Sequence, residues 1–405
     1  MNICFYTDFT MSGMTGGIGR ATTVLNDFFR SNYGWKVYSI YAFEAKEDCI
    51  RAVNDGAIKL RLHDRLGMRQ LAQNYQKAVE FIRQNEIQIV IVQTSMDVVS
   101  KLRRCLDEHD LHKVKVISVL HYSPGTDEFP ISISELKKDI FKGKASVKNI
   151  LKGIIAPGYN LLEHRATVNA YKNAYNYGEA VILLSDSYIP MYQEYAKLKE
   201  YKKLMPIPNC LPFEHILTST EIKAKKNTAL MVGRMVDNPK RVSTILQMWQ
   251  QIEKHPIAKD WNLEIVGDGP DLDSFKVLAD KLSLSRCTFT GRQNPIDYYL
   301  HSSIFFMTSE FEGFPMTLVE AQQMGCVPIA FDSFGSLKEV VVDNINGRII
   351  PNNDTDKYID TTIELMADTT KRMNLLICGL KDCQRFSQKN ICERWKNLLE
   401  SLVTA

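Results

Sequence analysis

Short apolar runs such as IQIVIVQ (87–93) and TALMVGR (228–234) recur along nearly the whole chain, each followed by a longer stretch with apolar residues at helical spacing. A run without polar alternation must be buried on both faces. Parallel strands joined by helical crossovers meet that demand. In the first half the runs are NICFYTD (2–8), KVYSIYAF (36–43), 87–93, VKVISVLH (114–121) and AVILLS (180–185). In the second half they are 228–234, NLEIVGD (262–268), CTFTGR (287–292), SIFFMTS (303–309) and VPIAFD (327–332). At 405 residues the chain is longer than one hydrophobic core normally supports. We therefore expect an α/β protein of two Rossmann-like domains, 1–200 and 201–385, with a C-terminal helix in 386–405 packing back on the first. Between them KKLMPIPNCLPFE (202–214) carries Pro206, Pro208 and Pro212, which suit an irregular connection. A central cleft is expected there, since ligands of open parallel sheets bind beyond the carboxyl ends of the strands.

A net charge of +3 gives no reason to expect a nucleic-acid partner. The start MNICFYTDF has no basic segment leading into an apolar run, and no span approaches the roughly 20 apolar residues that cross a bilayer. The expectation is a cytoplasmic chain. Nine cysteines without a CxxC pair indicate neither a disulfide framework nor a zinc site. One segment, ELKKDIFKGKASVKNILKG (135–153), sets six lysines among apolar residues at roughly helical spacing. It is expected either to touch an anionic membrane surface on the inner face of the cell membrane or to form a solvated helix face.

Two tracts carry chemistry. VGRMVDNPKR (232–241) ends a strand with Arg234 and adds Lys240 in the next loop, cations suited to a phosphate or diphosphate. SEFEGFPMTLVEAQQMG (309–325) reads as a turn from a buried strand into a helix, with Pro315 near its first position and Gly325 at its stop. A helix start presents free amides and a positive dipole end, so Met316 and Thr317 are expected to face an anion. Glu312 and Glu320 on either side repel phosphate; their natural partners are hydroxyl groups of a sugar or ribose. The structural alternative makes Glu312 a cap and Glu320 a surface residue.

These residues, with EAQQMGCVPIAFDSFGSLKEVV and NGRII downstream, resemble the retaining glycosyltransferases of family 4 and their E-x7-E motif, closely over about 229–350 and loosely elsewhere. The resemblance implies the GT-B fold and a metal-independent hexosyl transfer without a cofactor. The donor is expected to be a nucleotide-sugar, UDP-linked in preference, and the acceptor a saccharide or polyprenyl-linked saccharide of capsule or O-antigen synthesis. Residue by residue it implies that Glu320 binds ribose, Glu312 the donor sugar, and Arg234 with Lys240 the diphosphate. Arg292 and Gln293 stand where the base is held, and Phe314 and Pro315 lie in the donor loop. Pro315 replaces a glycine common in relatives and supplies no amide. From the first half, Gly16 and Gly17 in MSGMTGGIGRAT allow close backbone approach to a phosphate or acceptor. His121 in HYSPG is implied to lie near the donor sugar.

Three other readings compete. A dehydrogenase would need a dinucleotide fingerprint directly after its first strand, and here the third glycine of Gly17-Ile-Gly19 is Thr22. A metal-dependent transferase would have to use Asp271-Leu-Asp273, which reads as the start of a helix. A non-catalytic nucleotide- or carbohydrate-binding protein on the same fold would have no need to keep Arg234, Lys240, Glu312 and Glu320 together.

Overall fold

The structure is a computed structural model of the full chain, and it describes residues 1–12, 16–45, 52–63, 68–126, 128, 147–213, 217–223 and 225–404. The chain divides into two compact units, Met1–Ile207 with Lys396–Ala405, and Pro208–Trp395. Each is built on one parallel sheet.

The first unit's strands are β1 (Asn2–Phe9), β2 (Lys36–Phe43), β3 (Gly56–Lys59), β4 (Ile89–Val92), β5 (Lys115–Leu120), β6 (Ala180–Leu183) and β7 (Leu204–Pro206). They lie in the order β3-β2-β1-β4-β5-β6-β7. The order of strands across the sheet reverses between the parallel neighbours β1 and β4, where Ile3 pairs with Ile89 and Tyr6 with Val92. The four residues of β4 are all buried, as a central strand covered on both faces requires. On one face Tyr6, Ile40, Val90 and Val116 pack against Val79, Val99 and Leu102 of helices Met68–Gln84 and Asp97–Glu108.

The second unit repeats the plan with β8 (Thr228–Val232), β9 (Asn262–Val266), β10 (Cys287–Gly291), β11 (Ile304–Met307), β12 (Val327–Asp332) and β13 (Arg348–Pro351), in the order β10-β9-β8-β11-β12-β13. Its reversal falls between β8 and β11. Trp249, fully buried, anchors helix Val242–Ile252 against Phe306 of β11, with ring centroids 6.4 Å apart.

Three strands were not expected. β3, β7 and β13 lack the unbroken apolar run that marks the equally short β4, β6 and β11. β7 also corrects the reading of 202–214 as wholly irregular, because Leu204–Pro206 closes the edge of the first sheet. Its proline stands at the end of an edge strand, where a missing amide costs nothing. The basic stretch 135–146, and the side chains of 147–153, lie outside the described residues.

Candidate active site at the carboxyl ends of the second sheet

After β8 the chain turns at Gly233, whose amide donates to the Val266 carbonyl at the end of β9 (3.0 Å). Met235 then donates to Asp268 (3.0 Å) and accepts from Asp271 (3.1 Å). This contact of two loops exists because Gly267 and Gly269 have no side chains. A Cβ on Gly267, at φ 147°, would stand 1.8 Å from the Gly233 carbonyl oxygen, and one on Gly269 2.4 Å from that of Met235. The run IVGDGP was the signal for this packing, and sequence reasoning passed over it. Arg234 rides on the loop so held and is exposed.

Asp237 follows, accepting from the Ser243 amide (2.9 Å) and hydroxyl and thereby starting the next helix. Its own amide donates to Asp271 (2.9 Å), while Asp273 is bound only to Lys276 among the described residues (3.6 Å). Asp271 and Asp273 therefore do separate jobs. Lys240 is pinned at both ends. Its carbonyl accepts the Thr308 hydroxyl (2.9 Å) at the close of β11, and its ammonium meets Glu312 Oε1 at 2.5 Å. The two side chains are 20% and 16% exposed. Arg241, in the left-handed region at φ 52°, turns instead to Asn352, Asn353 and Glu310.

The helix beyond Glu312 is Met316–Gln323, with Pro315 at its cap. Met316 donates its amide to the Phe314 carbonyl (2.8 Å), so of the two amides expected to face an anion, Thr317 remains and Met316 does not. Phe314 is buried, edge-to-face on Phe386 at 5.4 Å, as a core residue. Glu320 has no exposed surface, and Tyr299 donates its hydroxyl to Oε2 (2.8 Å). The surface-residue alternative for Glu320 is thereby removed. Gln322 and Gln323 are buried as well: Gln322 donates to Val340 (3.1 Å) and Asn346 (3.2 Å), and Gln323 to Phe213. Three buried polar side chains, Glu320, Gln322 and Gln323, tie this helix to its surroundings. Arg292 and Gln293 sit exposed in the loop after β10.

In the first unit His121 follows β5 and bonds through Nε2 to Gln93 Oε1, at the end of β4, at 2.5 Å. Burial pushes its imidazole down to about 4, so it is neutral near pH 7. Gly16 opens helix Gly16–Tyr33 at φ 86°, and nothing lies within 4 Å of a Cβ built on Gly16 or Gly17. Both are exposed, so backbone approach is open there.

Residues 213–379 match the family model for "Glycosyl transferases group 1". Across its full length the chain is similar to HepE of Anabaena, solved with UDP and glucose, at 15% identity and a TM-score of 0.71 over 99% of this chain and all of that one. The fold is GT-B. Among curated proteins it is 28% identical over 224 residues to an uncharacterized glycosyltransferase of Haemophilus influenzae, covering 55% of this chain and 61% of the relative. It is 26% identical over 204 residues to the amylovoran biosynthesis glycosyltransferase AmsD of Erwinia amylovora, covering 49% and 56%. The chain thus spans little more than half the length of these relatives.

Proposed function

We propose that this GT-B protein is a glycosyltransferase that moves a hexose or N-acetylhexosamine from a nucleotide-sugar, UDP-linked in preference, to a saccharide hydroxyl with retention of configuration. The observation that carries the reading is the Lys240–Glu312 pair between the ends of β8 and β11, where the strand order reverses. An ammonium and a carboxylate held together there match a ligand with a diphosphate beside a hydroxylated ring. The glycosyltransferase names of the relatives, and UDP and glucose in the HepE structure, support it.

In this reading a donor diphosphate takes Lys240 from Glu312, with Arg234 and the Thr317 amide completing the anion site. Glu312 then turns to a donor-sugar hydroxyl. As the sugar–phosphate bond breaks, negative charge grows on the leaving diphosphate, and Lys240 and Arg234 stabilise it more than they stabilise the ground state. Glu320 accepts from the ribose, for which the fully buried carboxylate must first be uncovered. In the first unit His121, neutral near pH 7 and held by Gln93, has a hydrogen-bonding group and no charge to present at the end of β5. With cations of its own at the diphosphate, transfer is expected to persist in excess EDTA; complete loss that magnesium restores would contradict the proposed site.

A lipid-linked acceptor of capsule or O-antigen synthesis, and peripheral membrane contact at the cytoplasmic face, complete the proposal. Among the described residues no helix is long and apolar enough to cross a membrane. Helix Val147–Tyr177 nevertheless leaves Ile154 and Leu162 about two-thirds exposed. Replacing the lysines of 137–152 by Gln is expected to lower binding to anionic vesicles and leave transfer to a soluble acceptor intact. Equal loss of both would make the segment structural. Transfer of a labelled sugar from a panel of UDP-sugars tests the function itself; UDP binding without turnover on any acceptor would favour a binding protein.

A further inference from the structure

In the first unit a cavity of about 330 Å³ lies between helix Val147–Tyr177 and the end of helix Tyr188–Tyr195. Arg165, Asn169 and Lys172, spaced four and three residues apart, share one face of the longer helix and line it, and Lys197 joins them from just past the shorter one. Three cations thus border one small space. Among the described residues no carboxylate pairs with any of the three. Glu128 is occupied elsewhere: His164, which also lines the cavity, meets its Oε1 through Nδ1 at 2.7 Å, and Tyr195 donates its hydroxyl to the same oxygen. The two helices are pinned together next to Lys172, where the rings of Tyr171 and Tyr192 stack at 4.8 Å and the Tyr192 hydroxyl donates to the Tyr171 carbonyl (2.8 Å).

Lys197 is unusual in its backbone. It stands in the left-handed region at φ 52°, just past a helix end, where glycine is the common residue and a side chain carries a conformational cost. Its amide donates to Glu194 (3.1 Å) and that of Leu198 to Gln193 (2.9 Å), so the turn is fixed and two carbonyls at the helix end are already bonded. Unpaired cations gathered around one space repel one another, and an anion bound among them removes that cost. A guanidinium and two ammonium groups suit a phosphoryl group, with its several acceptor oxygens and up to two negative charges, better than a carboxylate. The volume is at the lower end of ligand pockets, room for a phosphate on a small polyol or sugar and not for a nucleotide-sugar. We propose that Arg165, Lys172 and Lys197, with the Asn169 side chain, bind the phosphoryl group of a phosphomonoester. Exposed Leu161 and Leu162 stand about one turn before Arg165, so the phosphate can arrive on a lipid as well as free in solution. The site does not rest on the glycosyltransferase reading.

Calorimetry with glycerol 3-phosphate, in excess UDP to keep the donor phosphate site filled, tests for a soluble phosphate. Sedimentation with phosphatidylcholine vesicles, with and without phosphatidate, tests for a lipid headgroup. Binding is expected to weaken as salt rises and to fall on the order of tenfold in each of Arg165→Gln, Lys172→Gln and Lys197→Gly, the scale of a hydrogen bond to a charged group. Glycine suits φ 52°, so Lys197→Gly is expected to hold or raise Tm while affinity drops, which separates a lost ligand contact from a lost fold. Affinity for UDP is expected to stay unchanged in all three. Binding of glycerol 3-phosphate assigns the site to a soluble phosphate and binding of phosphatidate vesicles alone to a lipid headgroup; either result upholds it. No binding to either probe, binding that the three variants leave unchanged, or UDP affinity falling in parallel would each overturn the site.

Discussion

Each proposed donor residue has a physical signature to probe. Lys240→Met removes the cation at the diphosphate and leaves Glu312 half-buried without it; a fall in turnover on the order of 100-fold is expected in a transfer assay, and an unchanged rate would remove Lys240 from the site. Glu320→Ala is expected to weaken UDP binding by calorimetry, since the ribose loses its acceptor and Tyr299 its partner; unaltered affinity would sink that assignment. His121 gives a pH signature. Its folded pKa of about 4 lies below the ordinary 6.5, so between these values the unfolded chain holds a proton that the folded chain lacks. The corresponding stability is complete above pH 6.5 and is lost as pH falls toward 4. Urea midpoints at pH 4.5 and 7 are expected to differ less in His121→Gln than in the wild type. Residue types and spacing made Glu312, Lys240 and Arg234 legible as candidates. The burial of Glu320 and the inward-facing Met316 amide were not legible, because both depend on which neighbours the fold brings over them.

Among the elements, those that carry the site are held by interactions distant in sequence. The loop of Arg234 depends on Gly267, where any side chain meets the Gly233 carbonyl and φ is 147°. Gly267→Ala is expected to cost at least about 2 kcal/mol in denaturant unfolding; a cost below about 0.5 kcal/mol would show that the loops separate easily. Lys225 works similarly from below: its ammonium donates to the carbonyls of Tyr299 (2.7 Å) and Met324 (2.5 Å), near the ends of the two helices that bear Tyr299 and Glu320. The fully buried strands such as β4, β6 and β11 could be read from their unbroken apolar runs. The edge strands β3, β7 and β13 could not, since each takes its identity from a neighbouring strand and not from its own few residues.

At the scale of the whole molecule, two parallel sheets each reverse their strand order once, and each reversal carries a cluster of polar side chains. The cluster on the second sheet pairs a cation with a carboxylate, and the one on the first brings Thr94 and His63 to the carboxylate of Asp8. The alternation of apolar runs and amphipathic stretches announced both sheets. The second cluster announced itself through a compact motif, whereas the first is assembled from β1, the end of β4 and the loop after β3, with no spacing to mark it. The most direct test is product analysis of the wild-type chain with labelled UDP-sugars and a panel of glycoside acceptors. The account predicts a disaccharide glycoside with the donor's anomeric configuration retained. UDP binding without transfer to any acceptor, or a product of inverted configuration, would contradict it.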